Sequence, residues 1–248
     1  MRAPWVVMLL ALAVAVSACR GVRKEEYEYE EELYLGLDGS ATVYVNASIP
    51  ALVALRGADF DVNPRARFDR QRVRAFFAGP GIDVASVSSS RRNGRRFAHV
   101  RIEVERLADL ATAAPFAWST YRLVRREGVI EYHQVVGAAA GRPVGDVGWT
   151  GSELVAFRMH LPSRIPFHNS TGPIQRGNIL EWEQPLSERL KGTPVDIQAH
   201  MEPQSILART LLLFASTIVA AAAAFAFVIW WIARRGRSAD LAESRSVR

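Results

Sequence analysis

The stretch from Ile206 to Ile232, ILARTLLLFASTIVAAAAAFAFVIWWI, decides where the rest of the chain lies. The 24 residues between Arg209 and Arg234 carry no charge. A helix rises about 1.5 Å per residue, so these residues exceed the hydrocarbon core of a bilayer, which is about 30 Å thick. The sequence therefore predicts one transmembrane helix over residues 206–233.

The tail that follows the span, residues 234–248, indicates the orientation. Its arginines outnumber its acidic residues, and arginines close to a span favour the cytoplasmic side of the membrane. Trp230 and Trp231 fit the headgroup level on that same side. We therefore predict a single-pass protein of the plasma (inner) membrane, with a cytoplasmic C-terminus and the bulk of the chain outside the cytoplasm.

The N-terminus has the pattern of a signal peptide over residues 1–18. A basic residue precedes an apolar run, Trp5 to Val16, which is too short to span a bilayer and remain there. The run ends at Val-Ser-Ala-Cys, which matches the lipobox of bacterial lipoproteins and predicts lipidation of Cys19. The alternative is an ordinary signal peptidase that cuts after Ala18, because Val-Ser-Ala suits that enzyme too. Cys19 is the only cysteine, so it cannot close an internal disulfide.

The net charge of +6 at pH 7 is distributed unevenly along the chain. Residues 19–205 hold 24 Lys plus Arg and 23 Asp plus Glu, so this segment is nearly neutral. The excess positive charge lies in the signal, at Arg209 and in the tail, where it reflects membrane topology. The composition therefore does not support nucleic-acid binding, and we predict no nucleic-acid partner.

Residues 20–205 form the predicted exported domain, in which strands alternate with short helices. Glutamates and tyrosines alternate before Leu33, and a β-branched run follows the turn signal Asp38-Gly39-Ser40, so a hairpin is predicted. The glutamates of this hairpin are expected on its solvent face. Asn93-Gly94 predicts a second hairpin. With the later alternating runs, we predict an α+β domain whose antiparallel β-sheet has about eight or nine strands and short covering helices.

Arginines concentrate at two places in this domain. One is a predicted helix that begins at Asn63-Pro64, and the other flanks the Asn93-Gly94 turn. They are interpreted either as a surface that rests on anionic lipid headgroups, or as a solvated helix face that pairs with nearby acids. The candidate lipid- or anion-binding residues are Arg65, Arg67, Arg70, Arg72, Arg74, Arg91, Arg92, Arg95 and Arg96.

The histidines and carboxylates form no recognisable catalytic or metal-binding motif. The five histidines lack the HxxxH and HxH spacings of metal ligands, so neither a metal nor a cofactor is predicted. His168 differs from the others because it lies in a long polar loop, where functional groups are often displayed. Glu181 and Glu183 share one face of a strand and are expected to face water. The sequence motifs of common hydrolases are absent, so no catalytic residue and no enzymatic activity is predicted.

The layout of the chain resembles that of the LppM-type membrane lipoproteins. The features that carry the resemblance are the lipobox, the hairpin around Leu37 to Ala41 (LDGSA), the late strand Gly177 to Trp182 (GNILEW) and the single C-terminal span. The resemblance implies an exported α+β domain with a lipid- or glycolipid-binding role. It implies no catalytic residues.

Three functions from different classes follow from these patterns. The favoured one is a non-enzymatic, membrane-tethered module that binds lipid headgroups, envelope glycan or another membrane protein. A second is a structural or assembly subunit of an envelope membrane complex, which associates through its span. Ser216, Ala220 and Ala224 follow the small-xxx-small spacing that lets helices approach closely. A third is an envelope hydrolase built on the His168 loop.

Overall fold

The computed structural model describes residues 26–246, which form two β-sheets, several short helices and one long C-terminal helix. The predicted signal segment and Cys19 lie outside the described residues. The strands are β1 Tyr27–Leu35, β2 Ala41–Ser48, β3 Ile82–Arg92, β4 Arg95–Val104, β5 Ser119–Arg126, β6 Val129–Val136, β7 Leu154–His160, β8 Phe167–His168, β9 Ile179–Pro185 and β10 Val195–Met201. The α-helices are α1 Ile49–Arg56, α2 Arg70–Phe77, α3 Leu186–Leu190 and α4 Ile206–Ser246, and Leu107–Thr112 and Ala114–Phe116 are 3₁₀ helices.

The strands divide between two sheets. Sheet A has six strands in the order β3-β4-β2-β1-β7-β9, and sheet B has four in the order β5-β6-β10-β8. Every pairing is antiparallel except that of β1 with β7. The predicted α+β class, with short covering helices, is confirmed. The parallel pair is possible because β2 to β6 lie between β1 and β7 in the sequence. A connection of this length lets β7 pair with the free edge of β1 in the same direction.

One continuous hydrophobic core lies between the inner faces of the two sheets. It contains Val43 and Ile102 from sheet A, and Ile130 and Ile197 from sheet B, all at most 1% exposed. Each side chain of this size contributes about 1.5–3 kcal/mol when it is fully buried. The alternation of buried and partly buried residues in β2 and β6 matches the period of two that a strand with one covered face requires.

Helix α1 closes one side of this core and is buried along its whole length. The Ser48 hydroxyl accepts a hydrogen bond from the Ala51 backbone nitrogen at 3.1 Å, which caps the first turn. Pro50 lies in that first turn, where its missing N–H costs nothing. Gly57 ends the helix at a φ of 70°, a conformation that strains any residue with a side chain. The helix places Arg56, its last residue, against β1.

The position of the glutamates in β1 differs from the prediction. Glu28 is 0% exposed and Glu31 is 4% exposed, whereas a hairpin with a free outer face would leave them in water. The reason is that β1 is a central strand of sheet A, with β2 on one side and β7 on the other. Its inner face, which carries Glu31, is covered by sheet B, and Glu28 lies beneath Trp149 of the loop before β7.

The two ends of sheet A differ in their distance from α4. Strands β1, β4 and β7 all run in the same direction and end at Leu35, Val104 and His160, which we call the span-proximal end. There the Ile206 backbone nitrogen, at the start of α4, donates to the Pro162 carbonyl at 3.1 Å. The other end, which carries the β3–β4 turn, is called the far end. It lies about 30 Å away, since a strand rises about 3.3 Å per residue.

Helix α4 contains the segment that the sequence predicts to be a span. Among the described residues it is the one helix long and apolar enough to cross a membrane, over Thr210–Ile232. None of its apolar window is buried against the rest of the protein. The side chains of this segment therefore need an apolar environment other than the domain itself.

Candidate functional site

The predicted arginine cluster forms part of an open groove at the far end of sheet A. The groove has a volume of about 850 Å³ and brings together Arg67, Arg70 and Arg72 beside Ser89 of β3. Asp69, the N-cap of α2, lies in the same wall, and its carboxylate accepts hydrogen bonds from the backbone nitrogens of Gln71 and Arg72. The exposed members of the predicted set are Arg65, Arg67, Arg70, Arg72, Arg74 and Arg91.

Two members of the predicted set are buried and hold loops in place. Arg95 pairs with Glu28, with 2.9 Å between Nη2 and Oε1, and donates to the Gly148 carbonyl at 2.8 Å. Arg96 donates to the carbonyls of Asp61 and Arg67, and burial lowers the pKa of its guanidinium. These contacts occupy both side chains, so any anion-binding role rests on the exposed arginines.

Three further arginines of the set also have partners within the domain. Arg72 forms an exposed ion pair with Asp59 at 2.6 Å, Arg74 donates to the Val84 carbonyl, and the half-buried Arg92 donates to the Tyr27 carbonyl. An exposed pair of this kind contributes at most about 1 kcal/mol and can exchange for another anion. The lipid- or anion-binding assignment of the cluster therefore stays a prediction.

A second polar cluster, which the sequence does not indicate, lies inside the core at Glu31. This carboxylate accepts hydrogen bonds from the Tyr29 hydroxyl at 2.9 Å and the Tyr121 hydroxyl at 3.3 Å. Gln134 Nε2 donates to it at 3.2 Å, and Arg56 Nη2 lies 3.4 Å away. The cluster connects β1 and α1 to both strands of the β5–β6 hairpin, and thus joins the two sheets.

The environment of Glu31 favours a structural role. Burial raises the pKa values of Tyr29 and Tyr121, so both remain neutral donors at physiological pH. The Arg56 guanidinium carbon lies 4.5 Å from the centre of the Tyr29 ring. The cavity beside Glu31 and Gln134 has a volume of about 10 Å³. A space of this size holds no more than one water molecule, so no substrate reaches the carboxylate.

A third site, the span-proximal groove, lies where β1, β4 and β7 end. It has a volume of about 620 Å³ and is open to the outside. Its apolar wall is formed by Leu35, Val104, Leu161 and Pro162, and its polar wall by Tyr34, Ser40, Thr42, Glu103 and His160.

Tyr34 provides an exposed aromatic ring in the wall of this groove. Its ring stacks on that of His160 at a centroid distance of 3.9 Å and an interplanar angle of 13°, and Tyr44 contacts it edge to face at 5.6 Å. Glu32 orients both stacked rings, since its Oε1 lies 3.0 Å from the Tyr34 hydroxyl and 2.6 Å from His160 Nε2. Partial burial and the hydrogen bond to Glu32 raise the pKa of Tyr34, so its hydroxyl stays protonated.

The turn between β1 and β2 forms the floor of the groove at Gly36 and Ser40. Asp38 Oδ1 accepts from the backbone nitrogen of Ser40 at 3.0 Å and from its hydroxyl at 2.6 Å. A Cβ atom on Gly36 would lie 2.4 Å from Asp38 Oδ1 and 2.6 Å from the Ser40 hydroxyl, so a side chain at this position would displace their hydrogen bond. On the opposite wall Glu103 pairs with Arg101 at 2.5 Å, and both side chains are nearly half exposed.

The five histidines occupy separate places and do not converge. His99 bonds to Asn46 and Ser90, His133 to Asp196 and His160 to Glu32, while His200 packs on Phe167. Over residues 26–246, no group of three or more His, Cys, Asp or Glu side chains is arranged to hold a metal ion. The absence of a metal in the functional protein stays a prediction.

His168 contacts one hydroxyl, that of Ser170, at 2.7 Å from its Nδ1. The Gly172 carbonyl lies 2.9 Å from the same hydroxyl and competes with Nδ1 for its one proton. A general base must accept the proton of the nucleophile. A hydrolase built on His168 stays a prediction.

Glu181 and Glu183 lie on the same face of β9, and each is engaged by another residue. Glu181 Oε1 pairs with Arg158 Nε at 2.5 Å, and Glu183 accepts a hydrogen bond from Tyr27. Burial opposes the charge of Arg158, but its hydrogen bonds to Glu30 and Glu181 overcome this effect and raise its pKa. These contacts hold the outer face of sheet A together and leave no unpaired acid for catalysis in this pair.

The small residues Ser216, Ala220 and Ala224 lie on α4 within the candidate span, and all three are exposed. The Ser216 hydroxyl donates to the Leu213 carbonyl of the same helix at 2.8 Å. A stripe of small residues permits close helix contact without requiring it. Association through this stripe stays a prediction.

Comparisons with known proteins do not assign the chain to a family. No protein-family model matches it, and no curated protein matches it. A solved structure, the folded domain of Mycobacterium tuberculosis LppM determined by NMR, aligns with 74% of this chain and 94% of its own, at 13% sequence identity and a TM-score of 0.41. The family resemblance drawn from the sequence layout stays a prediction.

Proposed function

We propose that the protein is a membrane-anchored, non-enzymatic binding module whose span-proximal groove holds a polyhydroxylated headgroup, either a glycolipid headgroup or an envelope glycan. The observation that carries the proposal is the position of the groove. Pro162 lines its wall and accepts the hydrogen bond from Ile206, the first residue of α4. A ligand in the groove would therefore lie next to the point where the chain enters the bilayer.

The chemistry of the groove suits a sugar better than an anion. The apolar face of a sugar ring packs on an exposed aromatic ring, and Tyr34 provides one that is 41% exposed and held by His160. Sugar hydroxyls donate hydrogen bonds, and the Glu103 carboxylate and the Ser40 and Thr42 hydroxyls accept them. A phosphate would instead have to displace Glu103 from its ion pair with Arg101.

The alternative of anionic lipid binding by the arginine cluster has weaker support. Arg67, Arg70 and Arg72 lie beside Ser89, toward the β3–β4 turn, whereas Arg74 contacts Val84 near the start of β3. With the strands directed toward the membrane, the groove at Ser89, which pairs with Ala98, would lie about 20 Å from the span-proximal end, beyond a Debye length of about 8 Å at physiological salt. We therefore propose that the span-proximal groove, rather than the arginine cluster, lies nearest the bilayer. The domain itself lies outside the cytoplasm in this proposal.

The test compares lipid and free forms of one sugar headgroup. The full chain is placed in phosphatidylcholine nanodiscs, and thermal unfolding of the domain is followed with digalactosyldiacylglycerol in the bilayer, free digalactose, or phosphatidylglycerol in the bilayer. A ligand that binds the folded state raises the unfolding midpoint. We expect the unfolding midpoint to rise with digalactosyldiacylglycerol if the natural ligand is a glycolipid. We expect it to rise with free digalactose if the natural ligand is an envelope glycan.

Matched variants locate the effect in the groove. Tyr34→Ala should abolish the rise. Trp118→Ala should retain it, because this variant removes an aromatic ring of the same 41% exposure at the end of sheet B that lies away from α4. A midpoint that rises only with phosphatidylglycerol would favour the arginine cluster and reject the groove. The unfolding midpoints of both variants without ligand control for damage to the fold.

A further inference from the structure

Exposed apolar side chains cluster at one end of the domain. Within residues 26–205, four large hydrophobic side chains are exposed: Tyr34, Trp118, Phe167 and Ile174, each at 41–44%. Three of the four lie at the span-proximal end, and Trp118 alone lies at the opposite end of sheet B. Exposed apolar residues that gather in one region indicate a surface that contacts an apolar or interfacial partner.

The segment that carries Phe167 is fixed beside the start of α4. Glu202 donates through its backbone nitrogen to the Arg164 carbonyl at 2.9 Å, and Ser163 pairs with Ser205. Phe167 itself lies opposite His200 in the β8–β10 ladder, and its ring is 4.7 Å from that of His200. These contacts fix the exposed ring within a few residues of the chain that enters the span.

The same segment is also anchored to the core. Leu161 is 4% exposed, Ser163 0% and Ile165 8%, so these alternating residues point inward. The residues between them point outward, as the period of a strand requires. Arg164 is therefore held outward by a well-packed segment. Phe167 has the parity of the inward residues, but it follows Pro166 and pairs opposite His200, so its ring lies on the outer face of sheet B.

Ile174 and Arg176 extend this surface on the neighbouring loop. Gln175, between them, pairs with Ile179, the residue of β9 that lies opposite His160. The Asn178 amide donates to the carbonyls of Leu161 and Ser163, at 3.4 Å and 2.9 Å, which ties this loop to the Phe167 segment. Ile174 is 41% exposed, and Arg176 is exposed as well.

The charges of this surface match a phospholipid headgroup layer. The Arg164 side chain is 76% exposed, and its one acidic neighbour among the described residues, Glu202, lies 3.7 Å away and is mostly covered. Arg176 is the second cation. Aromatic and apolar side chains mixed with arginines are the composition found at membrane interfaces, where rings enter the headgroup region and guanidinium groups meet phosphates.

We infer that residues 162–178 form a membrane seat, through which the domain rests on the outer surface of the same bilayer that its C-terminal helix crosses. Phe167 and Ile174 enter the headgroup region, and Arg164 and Arg176 contact lipid phosphates. The seat fixes the orientation of the domain, with the span-proximal groove against the bilayer and the arginine cluster directed away. It does not depend on the ligand of the groove.

The depth of individual side chains tests this inference directly. In the full chain with Cys19→Ser, single cysteines are introduced as Phe167→Cys, Ile174→Cys or Trp118→Cys, labelled with a nitroxide and placed in phosphatidylcholine–phosphatidylglycerol nanodiscs. Collisions with oxygen report apolar depth, and collisions with a water-soluble nickel chelate report exposure to water. We expect labels at 167 and 174 to show a higher oxygen-to-nickel ratio than the label at 118.

A second measurement follows the protection of residues 162–178 and controls for damage to the rest of the domain. Phe167→Asp combined with Ile174→Asp should increase amide hydrogen exchange across 162–178 in nanodiscs and leave exchange of the β1–β2 hairpin unchanged, while Trp118→Asp should change neither segment. Labels at 167 and 174 that are as accessible to nickel as the label at 118 would overturn the inference. Equal exchange in the double variant and the unsubstituted chain would overturn it too.

Discussion

The two faces of β1 carry the same residue types in different surroundings. On the inner face, Glu31 accepts from Tyr29 and is 4% exposed, while on the outer face Glu32 accepts from Tyr34, which is 41% exposed. Hydrogen bonds away from water are stronger, and their loss leaves a buried group without compensation. The inner pair therefore holds the two sheets together, and the outer pair remains free to adjust to a ligand.

The largest expected effect is at the inner face, from Arg56→Met. Removing one partner of a buried ion pair leaves the other charge uncompensated, which costs about 3–5 kcal/mol. Arg56 and Glu31 are both at most 4% exposed, so water cannot replace the guanidinium. We expect a large fall in the unfolding midpoint of the full chain in detergent, followed by near-ultraviolet circular dichroism.

A compensating variant distinguishes the lost charge from lost packing. Glu31→Gln in the Arg56→Met background keeps an oxygen that can accept from Tyr29 and Tyr121 but removes the unpaired charge. Much of the midpoint should return if the charge causes the loss. A double variant as unstable as the single one would assign the effect to the packing of the Arg56 stem instead.

The next effect is smaller and comes from Tyr29→Phe. This change deletes one hydrogen bond to a buried carboxylate and leaves the ring against Phe157. A hydrogen bond to a charged group contributes about 1.5–3 kcal/mol. The midpoint should fall by less than in Arg56→Met, and an unchanged midpoint would show that the hydroxyl of Tyr29 is dispensable to Glu31.

Sequence patterns predicted the local elements of this fold better than their arrangement. Period-two alternation and the turn signals Asp38-Gly39 and Asn93-Gly94 predicted β1 to β4, because hairpin pairing is decided within a few residues. The predicted helix start at Asn63-Pro64 is wrong, because α2 begins at Arg70. Asn63 instead accepts from the Arg65 backbone nitrogen in a local turn, and Asp69 caps the helix.

Long-range pairing explains what the sequence did not predict about the candidate sites. Tyr34 and His160 meet only because β7 adds to β1 in parallel, and no pattern near either residue indicates that pairing. Glu31 is buried because sheet B covers its face, whereas period two alone cannot distinguish a covered face from an open one. Charge alone marks Arg95 and Arg96 as candidate anion-binding residues, and their burial follows from loops packed across the strand end.

Mild acid should lower the stability of the domain through His99, on the outer face of sheet A. Its ring lies between Asn46 and Ser90. Burial, reinforced by the charge of Arg92, lowers the pKa of His99. The unfolded chain then binds a proton more readily, with a pKa of about 6.5, so the stability from this residue is present above that value and is lost as pH falls below it. His99→Gln should weaken the decrease of the midpoint between pH 7.5 and 5.5, and an identical decrease would exclude His99 as its source.

The smallest expected effect is that of Tyr34→Phe, the outer counterpart of Tyr29→Phe on the same strand. It removes a 3.0 Å hydrogen bond to Glu32, which keeps its contact with His160 at 2.6 Å, and water can take the place of the hydroxyl. Exposed substitutions of this kind change stability by less than about 0.5 kcal/mol. The unfolding midpoint should therefore hardly move, and because the ring still stacks on His160, a stacked sugar headgroup should still bind. A fall as large as that of Tyr29→Phe would show that the outer face supports the fold as strongly as the inner face, and would contradict the separation of roles between the two faces of β1.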